Sequence, residues 1–487
     1  MNSKKLFGIE DCEQLSVRQV WDLYTQFVNP GQVDLIGSFG FGRDLAESAQ
    51  GMWIKTKGGR EILDFTGGVG VLNHGHNHPE ILEARKRFQE LNRMEVHKNF
   101  FSPYIAGLSH NLAQLLPGDL NVAYFPNSGA ESVEGAIKMA YKYHNGTRKS
   151  ILYADISFHG KLLGAASVTG SPELDFKFPQ IPHTYSFEYN NIDSVKTMIA
   201  SLRNSDGNCD VYAIILEPMN ASSLTQCSKE YLLELREICD KEDIILIFDE
   251  VYTGWAKTGH LFYFMQHEGL LPDILTMAKS FGGGKASISG YIARDKVFQK
   301  AYGSLNDATL HSTTYNGFGE ETITAIQAVN IIIRDDYVGK SQAIHNKLYP
   351  KLLELKKKYP NIINDVRGSG ALNGLTVKRP SGFFNMLSNI VPSKMFRDER
   401  FMSKVLTGAI IYELYEEHGI LTFFGSNKEI PLIISPSLIV KDEELNLFLT
   451  ALDKTLAKGM TVLVTKFVKG KFFGSPKEFE THLGPSI

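Results

Sequence analysis

Residues Ile244 to Lys285 read IILIFDEVYTGWAKTGHLFYFMQHEGLLPDILTMAKSFGGGK, and this stretch decides the fold. Ile244 to Phe248 is an apolar run of strand length, the pattern of a strand covered on both faces in a parallel sheet. The acidic pair Asp249-Glu250 follows, so a carboxylate is expected in the crevice at the strand's carboxyl end. A second apolar run, Ile274 to Ala278, ends in Lys279 and then in Ser280-Phe281-Gly282-Gly283-Gly284. The glycines let backbone approach a ligand or a neighbouring element closely and leave the lysine at the edge of a cavity. Taken alone, each charged residue has a plainer reading: Lys279 as a surface lysine that lays its stem over apolar neighbours, Asp249 as a strand-end cap.

The two segments together change the weighing. DEVYTGWAKTG followed by PDILTMAKSFGGG resembles the core signature of the class III, fold type I, pyridoxal-phosphate aminotransferases, which usually reads DEVQTGFGRTG and PDIxxxAKxLGGG. The resemblance implies an α/β fold with a large domain around a mostly parallel seven-stranded sheet. A small α+β domain is built from both termini. It also implies pyridoxal 5'-phosphate as cofactor, with Lys279 forming an imine to its aldehyde and Asp249 holding a proton on its pyridine nitrogen. A lysine in that role needs a neutral amine, hence a pKa lowered by burial and nearby charge. The implied boundaries are 1–66 for the N-terminal part of the small domain, 67–335 for the cofactor-binding domain and 336–487 for the remainder of the small domain.

With 487 residues, 43% of them hydrophobic, the chain suits two or three domains with full cores. A formal net charge of -3 without long like-charged runs gives no reason to expect nucleic acid or an anionic membrane as partner. Cys12, Cys209, Cys227 and Cys239 have neither metal-site nor disulfide-framework spacing, as suits a reducing compartment. The start MNSKKLFGIEDCEQ lacks the apolar core of a signal peptide, and no apolar run is long enough to cross a bilayer. A cytoplasmic protein is the expectation.

Ser16 and Gln19 have capping-box spacing before Val17, Val20, Trp21, Tyr24 and Val28, predicting a helix that stops at Asn29-Pro30-Gly31. In proteins of the resembled family this segment helps form the small domain and contacts a partner subunit. A hairpin is expected around Gly58-Gly59, followed by a glycine-rich loop similar to the family's LDFxxGxGVxxxGHxHP. His74, His76 and His78 alternate there without a carboxylate or cysteine cluster, so no metal is expected. Val122 to Phe125 is a strand candidate running into Pro126-Asn127-Ser128-Gly129-Ala130-Glu131 and a helix. Such a turn gathers free amides at a helix start and suits an anion. It resembles the family's NSGxE phosphate loop, which assigns Ser128, Gly129 and Ala130 to the cofactor phosphate. SILYADISFHG reads as a strand that ends in Phe158-His159-Gly160 and resembles the family's F/Y-H-G, so that Phe158 stacks on the pyridine ring and His159 joins the cofactor contacts. Without that resemblance Phe158 is equally a core phenylalanine. Tyr212 to Leu216 is a further strand, ending in Glu217, another implied cofactor contact. TLHSTTYNG, 309–317, resembles HxTTFGG, whose threonine reaches the cofactor phosphate of the other subunit. That assigns Thr314 and implies a homodimer with shared sites.

Several positions depart from the family's text. EPMNASS stands where EPxQGEGG is usual, with Ser222 at the second glutamate. IPLIISPSL stands where IRxxPPL is usual, with Ile433 at the arginine that holds a substrate carboxylate. Tyr252 replaces a glutamine that contacts the cofactor's phenolic oxygen, a bond a tyrosine can also donate. Trp255 is either a wall for an apolar substrate or a packing residue. GSGALNGLTVK reads as one strand of the C-terminal part. Residues 380–402 look inserted, either an apolar lid or extra packing. A buried carboxylate is costly without a charged bidentate partner, so losing the arginine points to an amine or aldehyde with no carboxylate near the reacting carbon. VNPGQVDLIGSFGFG and DFTGGVGVLNHGHNHP are most similar to putrescine-type aminotransferases and to the alkyl-aldehyde aminotransferases of prodiginine and tambjamine pathways. The expected activity is therefore ping-pong transfer of an amino group between a donor and an aliphatic aldehyde or diamine. The alternatives are an ω-amino-acid aminotransferase of the ornithine or 4-aminobutyrate type, an aminomutase or decarboxylase on the same cofactor, and a non-catalytic scaffold.

Overall fold

The computed structural model describes residues 6–171, 178–379 and 399–473. At its centre lies a seven-stranded sheet. Its strands, numbered here in chain order, are β1 Leu120–Tyr124, β2 Ser150–Ala154, β3 Thr184–Phe187, β4 Val211–Leu216, β5 Ile245–Asp249, β6 Ile274–Met277 and β7 Gly290–Arg294. They lie side by side in the order β1-β7-β6-β5-β4-β2-β3. β7 runs against both its neighbours, and the remaining pairs are parallel.

The apolar runs are what this sheet requires. Side chains on a strand alternate faces, so a strand covered on both sides must be apolar at every position. Ile245 and Ile247 of β5 pack with Val133, Ile137 and Ala140 of the helix Gly129–Tyr143, while Leu246 and Phe248 belong to the cluster on the opposite face. Each such side chain taken fully out of water contributes roughly 1.5–3 kcal/mol.

Register then decides what gathers at the sheet's edge. Phe248 lies opposite Leu216, and Asp249 opposite Thr276. Glu217, Asp249 and Lys279 therefore emerge together at the carboxyl ends of β4, β5 and β6, where open parallel sheets place their ligand sites.

Two small sheets flank the large one. Ala46–Gln50, Trp53–Thr56 and Glu61–Asp64 form an antiparallel meander, turned near Gly59, to which Ile420–Leu421 adds a parallel strand. Distant parts of the chain thus share one sheet. The second comprises Ile363–Ser369, Leu372–Val377, Leu432–Ile434 and Phe423–Phe424, all antiparallel. Here one expectation is corrected: GSGALNGLTVK is the end of the first arm, the turn and the second arm of a hairpin. Gly370 adopts φ +55°, and a Cβ there would lie 2.3 Å from the Thr258 carbonyl carbon, so the chain bends at the one residue type that fits. The strand expected to reach His159 likewise ends at Ala154. Ser157 turns its hydroxyl back onto the Ala154 carbonyl at 2.7 Å, leaving Phe158 and His159 on a loop.

Ser16 and Gln19 form their capping box at the start of the helix Val17–Phe27. Residues 380–398 of the expected insertion lie outside the described residues, and Glu399 opens the helix Glu399–His418. Among the described residues no helix is long and apolar enough to cross a membrane.

Candidate active site

A cavity of about 920 Å³ opens over the carboxyl ends of β4, β5 and β6. Its wall includes Ser128, Gly129, Ala130, Phe158, His159, Glu217, Ser222, Asp249, Tyr252 and Lys279. Ten of the thirteen residues singled out above thus meet around one space, from five separate segments of the chain.

Lys279 sits at φ +51°, the left-handed region that costs a non-glycine residue about 1–2 kcal/mol. Its surroundings hold it there. Ser280 donates to the Gly70 carbonyl at 2.9 Å and accepts from the Asn73 amide at 3.3 Å, while Phe281 stacks on Trp255 at 4.8 Å between ring centroids. Burial lowers the Lys279 pKa to about 8, against the opposing pull of Glu217 and Asp249.

Asp249 closes β5, with Oδ2 2.7 Å from His159 Nδ1 and Oδ1 accepting the Val251 amide at 2.9 Å. One lone pair on each oxygen remains for another donor. The neighbouring Glu250 faces away: its oxygens accept the Tyr263 and Phe264 amides at 2.6 and 2.8 Å and the Thr253 hydroxyl at 2.9 Å. Burial raises its pKa to about 7. Of the acidic pair, the first serves the cavity and the second anchors a loop. Glu217 accepts the Phe158 amide and Asn220 Nδ2, both at 2.7 Å, and the Ala221 amide at 3.2 Å. Its pKa is raised, first by burial and also by the nearby Asp249.

At the turn after β1 the structure refines the phosphate assignment. Ser128 is the N-cap of the helix Gly129–Tyr143: its Oγ accepts the Glu131 amide at 3.3 Å, and Glu131 Oε2 accepts the amides of Asn127 and Ser128 at 2.9 and 2.8 Å. The donors left for an anion are the first-turn amides of Gly129 and Ala130, at the positive end of the helix dipole.

Other assignments are corrected. Trp255 is buried against Phe281 and Phe262 rather than in the cavity wall. Ile433 is also absent from the wall, because it faces an apolar nest of Met219, Ala221, Leu224, Tyr263 and Leu372. Phe423, its partner across the small sheet, lines the cavity instead. Tyr252 presents its ring to the site, whereas its hydroxyl is bonded to Ser435 Oγ at 3.3 Å. Thr314, assigned to a neighbouring subunit's site and not to this one, is exposed in a turn outside this cavity. His76 meets Asp64 at 3.0 Å and His74 the Ala328 carbonyl at 3.0 Å. Among the described residues no cluster of three or more histidine, cysteine or acidic side chains could hold a metal.

The sequence reading missed the aromatic wall of Phe423 and Phe424, and the buried Lys257, whose Nζ donates to the Pro436 carbonyl at 2.9 Å. Two adjacent aromatics close to the Ile433 segment, and a lysine where relatives carry arginine, were the available signals. The residues present fit pyridoxal 5'-phosphate: free helix-start amides for a phosphate, a carboxylate with spare lone pairs for a ring nitrogen, an aromatic at Phe158 and a buried amine.

The profile of the family described as "Aminotransferase class-III" matches residues 43–456. Solved structures share the fold. A transaminase from the marine bacterium Virgibacillus is 21% identical, covering 86% of this chain and 94% of its own, with a TM-score of 0.76. The ornithine aminotransferase of Toxoplasma gondii ME49 is 21% identical over 93% of this chain and 99% of its own, with a TM-score of 0.77. An (S)-enantioselective omega-transaminase from Thermomicrobium roseum is 24% identical over 85% and 92%, with a TM-score of 0.74.

Proposed function

The chain belongs to the class-III aminotransferases, which are pyridoxal-phosphate enzymes, and we propose that its own substrate is an aliphatic amine or aldehyde with no carboxylate at the reacting carbon. The observation that carries this reading is the apolar nest around Ile433. Where relatives place an arginine, this side chain is buried among Met219, Leu224 and Leu372, and among the described residues no arginine lines the cavity. A carboxylate brought into the cavity beside this nest would be desolvated without a bidentate partner. Phe423, Phe424, Val69, Val71 and Ile288 in the wall suit a hydrocarbon tail, as in long-chain alkyl aldehydes, or the methylenes of a diamine.

When bound, the cofactor supplies an aldehyde that captures the amine and a ring that stores the electron pair released at the substrate carbon. The protein's part follows from its geometry. The amides of Gly129 and Ala130 would hold the phosphate, the carboxylate of Asp249, aimed by His159, would hold a proton at the ring nitrogen, and Phe158 would cover the ring. Lys279, with its pKa near 8, is partly neutral near pH 7 and so can take a proton from the substrate carbon and return it one atom away.

We further propose a homodimer in which Thr314 serves the neighbouring subunit's site. Exposed Phe100, Phe101, Leu305, Leu310 and Tyr315 support a covered surface in this region. A second substrate reading rests on Lys404 in the cavity wall, which suits a carboxylate at the far end of an ω-amino acid. The deciding experiment mixes the cofactor-loaded enzyme with one amine at a time (putrescine, a long-chain alkylamine, ornithine, 4-aminobutyrate, alanine, glutamate) and follows the visible cofactor band. A fast change with alkylamine or putrescine is expected. A response confined to the amino acids would sink the carboxylate-free reading and leave the enzyme class standing.

A further inference from the structure

Lys279 Nζ lies 3.6 Å from the centroid of the Tyr252 ring. That ring is fixed from two directions. Its hydroxyl is engaged with Ser435 Oγ at 3.3 Å, and Gly70 packs so closely that a Cβ there would meet Cε1 and Cζ at 2.7 Å. A phenol held in this way keeps its hydroxyl away from the amine and offers it π electrons. We propose that the Tyr252 ring is the seat of the Lys279 ammonium whenever that side chain is not bonded to the cofactor, which makes Tyr252 a second catalytic residue. This inference goes beyond the substrate reading and is independent of it.

The physical case is that an aromatic face attracts a cation and has little preference for a neutral amine. The seat therefore favours Lys279 in the state that has just taken a proton from the substrate carbon. It also has no directional hydrogen bond to be broken when the amine moves back. The other charged groups facing Lys279 are the carboxylates of Glu217 and Asp249, which favour its cation, with His159 bonded to Asp249. Lys257 opposes a second positive charge nearby, and Asp64 acts on both Lys257 and Tyr252. Burial favours the neutral amine, so the ring works against burial and keeps the amine able to exchange a proton in either direction.

The test compares wild type with Tyr252→Phe and Tyr252→Leu, each loaded with pyridoxamine 5'-phosphate, the amino form of the cofactor that leaves Lys279 free. Competitive labelling with acetic anhydride across the pH range, with the Lys279 peptide quantified by mass spectrometry, gives the midpoint of that one amine. Retention of the bound cofactor's absorbance checks that each variant is folded. Phenylalanine keeps the ring and should leave the midpoint in place, whereas leucine should lower it by roughly one unit, the expected worth of a desolvated cation-π contact. An unchanged midpoint in Tyr252→Leu would overturn the proposal. So would an equal shift in both variants, which would assign the effect to the hydroxyl.

Discussion

Replacing Lys257 with methionine is expected to stabilise the folded protein near neutrality and to remove part of its pH dependence. Lys257 is fully buried, with its Nζ on the Pro436 carbonyl at 2.9 Å. Burial pushes its pKa down to about 7 from an ordinary 10.5, with Asp64 pulling upward and Lys279 pushing further down. Between these two values the unfolded chain binds a proton that the folded protein does not. Stability therefore rises with pH across that window and falls as pH drops towards 7. The gap of 3.5 units, 10.5 minus 7, amounts to about 4–5 kcal/mol against the folded state at neutral pH. Raising the pH from about 7 to about 9 relieves about 2 kcal/mol of it. Methionine fills similar volume without this penalty but leaves the Pro436 carbonyl without its donor, at a cost of about 1–3 kcal/mol. The variant should be more stable than wild type by about 1–3 kcal/mol near pH 7 and about equal to it near pH 9. Denaturant unfolding of both proteins at the two pH values measures this directly. A stability difference that stays the same at both, within about 0.5 kcal/mol, would refute the reasoning, since it would mean that Lys257 does not titrate in this window.

Three further outcomes are expected. Lys279→Ala should keep the fold and lose roughly 10²-fold or more in the rate of proton transfer, seen as a cofactor band that no longer responds quickly to amine; near-normal turnover would remove Lys279 from its role. Gly425→Ala places a Cβ 1.7 Å from the Ser222 carbonyl oxygen, so the loop carrying Ser222 must move. A loss of about 1–3 kcal/mol in stability and a raised KM for amines should follow, and unaltered KM would show that this packing does not shape the wall. Glu250→Gln substitutes an amide for one of two oxygens that together accept three hydrogen bonds, and about 1–3 kcal/mol of stability should be lost while the Lys279 titration stays put.

Much of the site was legible because its chemistry lies in short segments. Asp249 closes an apolar run, Lys279 follows another, and the turn at Ser128 to Ala130 precedes a helix that can be read from its spacing. These are local patterns, and local patterns survive without knowledge of the partner element. The hairpin at Gly370 was missed because a strand pattern does not disclose a close approach by Thr258, more than a hundred residues earlier in the chain. Trp255 and Ile433 failed as cavity residues for the same reason. Alignment to a motif assigns a position, but the direction of a side chain depends on what packs around it, here Phe281 for the tryptophan and Leu372 for the isoleucine.

By itself, then, the sequence determined the class of fold, five of the seven strands of the central sheet, and the pairing of an acid at a strand end with a lysine before glycines. The apolar content of a strand and the φ tolerance of glycine are properties of residues in their own neighbourhood, and reading in chain order is enough to detect them. Only the tertiary structure decided that Glu250 serves a loop while Asp249 serves the cavity, that Ser128 is a cap, that Tyr252 offers its ring, and that Phe423 and Phe424 form the wall. Each of these depends on register and on contacts between segments far apart in the chain. A one-residue change in pleat, or a hydroxyl captured by Ser435, redirects a side chain without altering a letter of the motif that contains it.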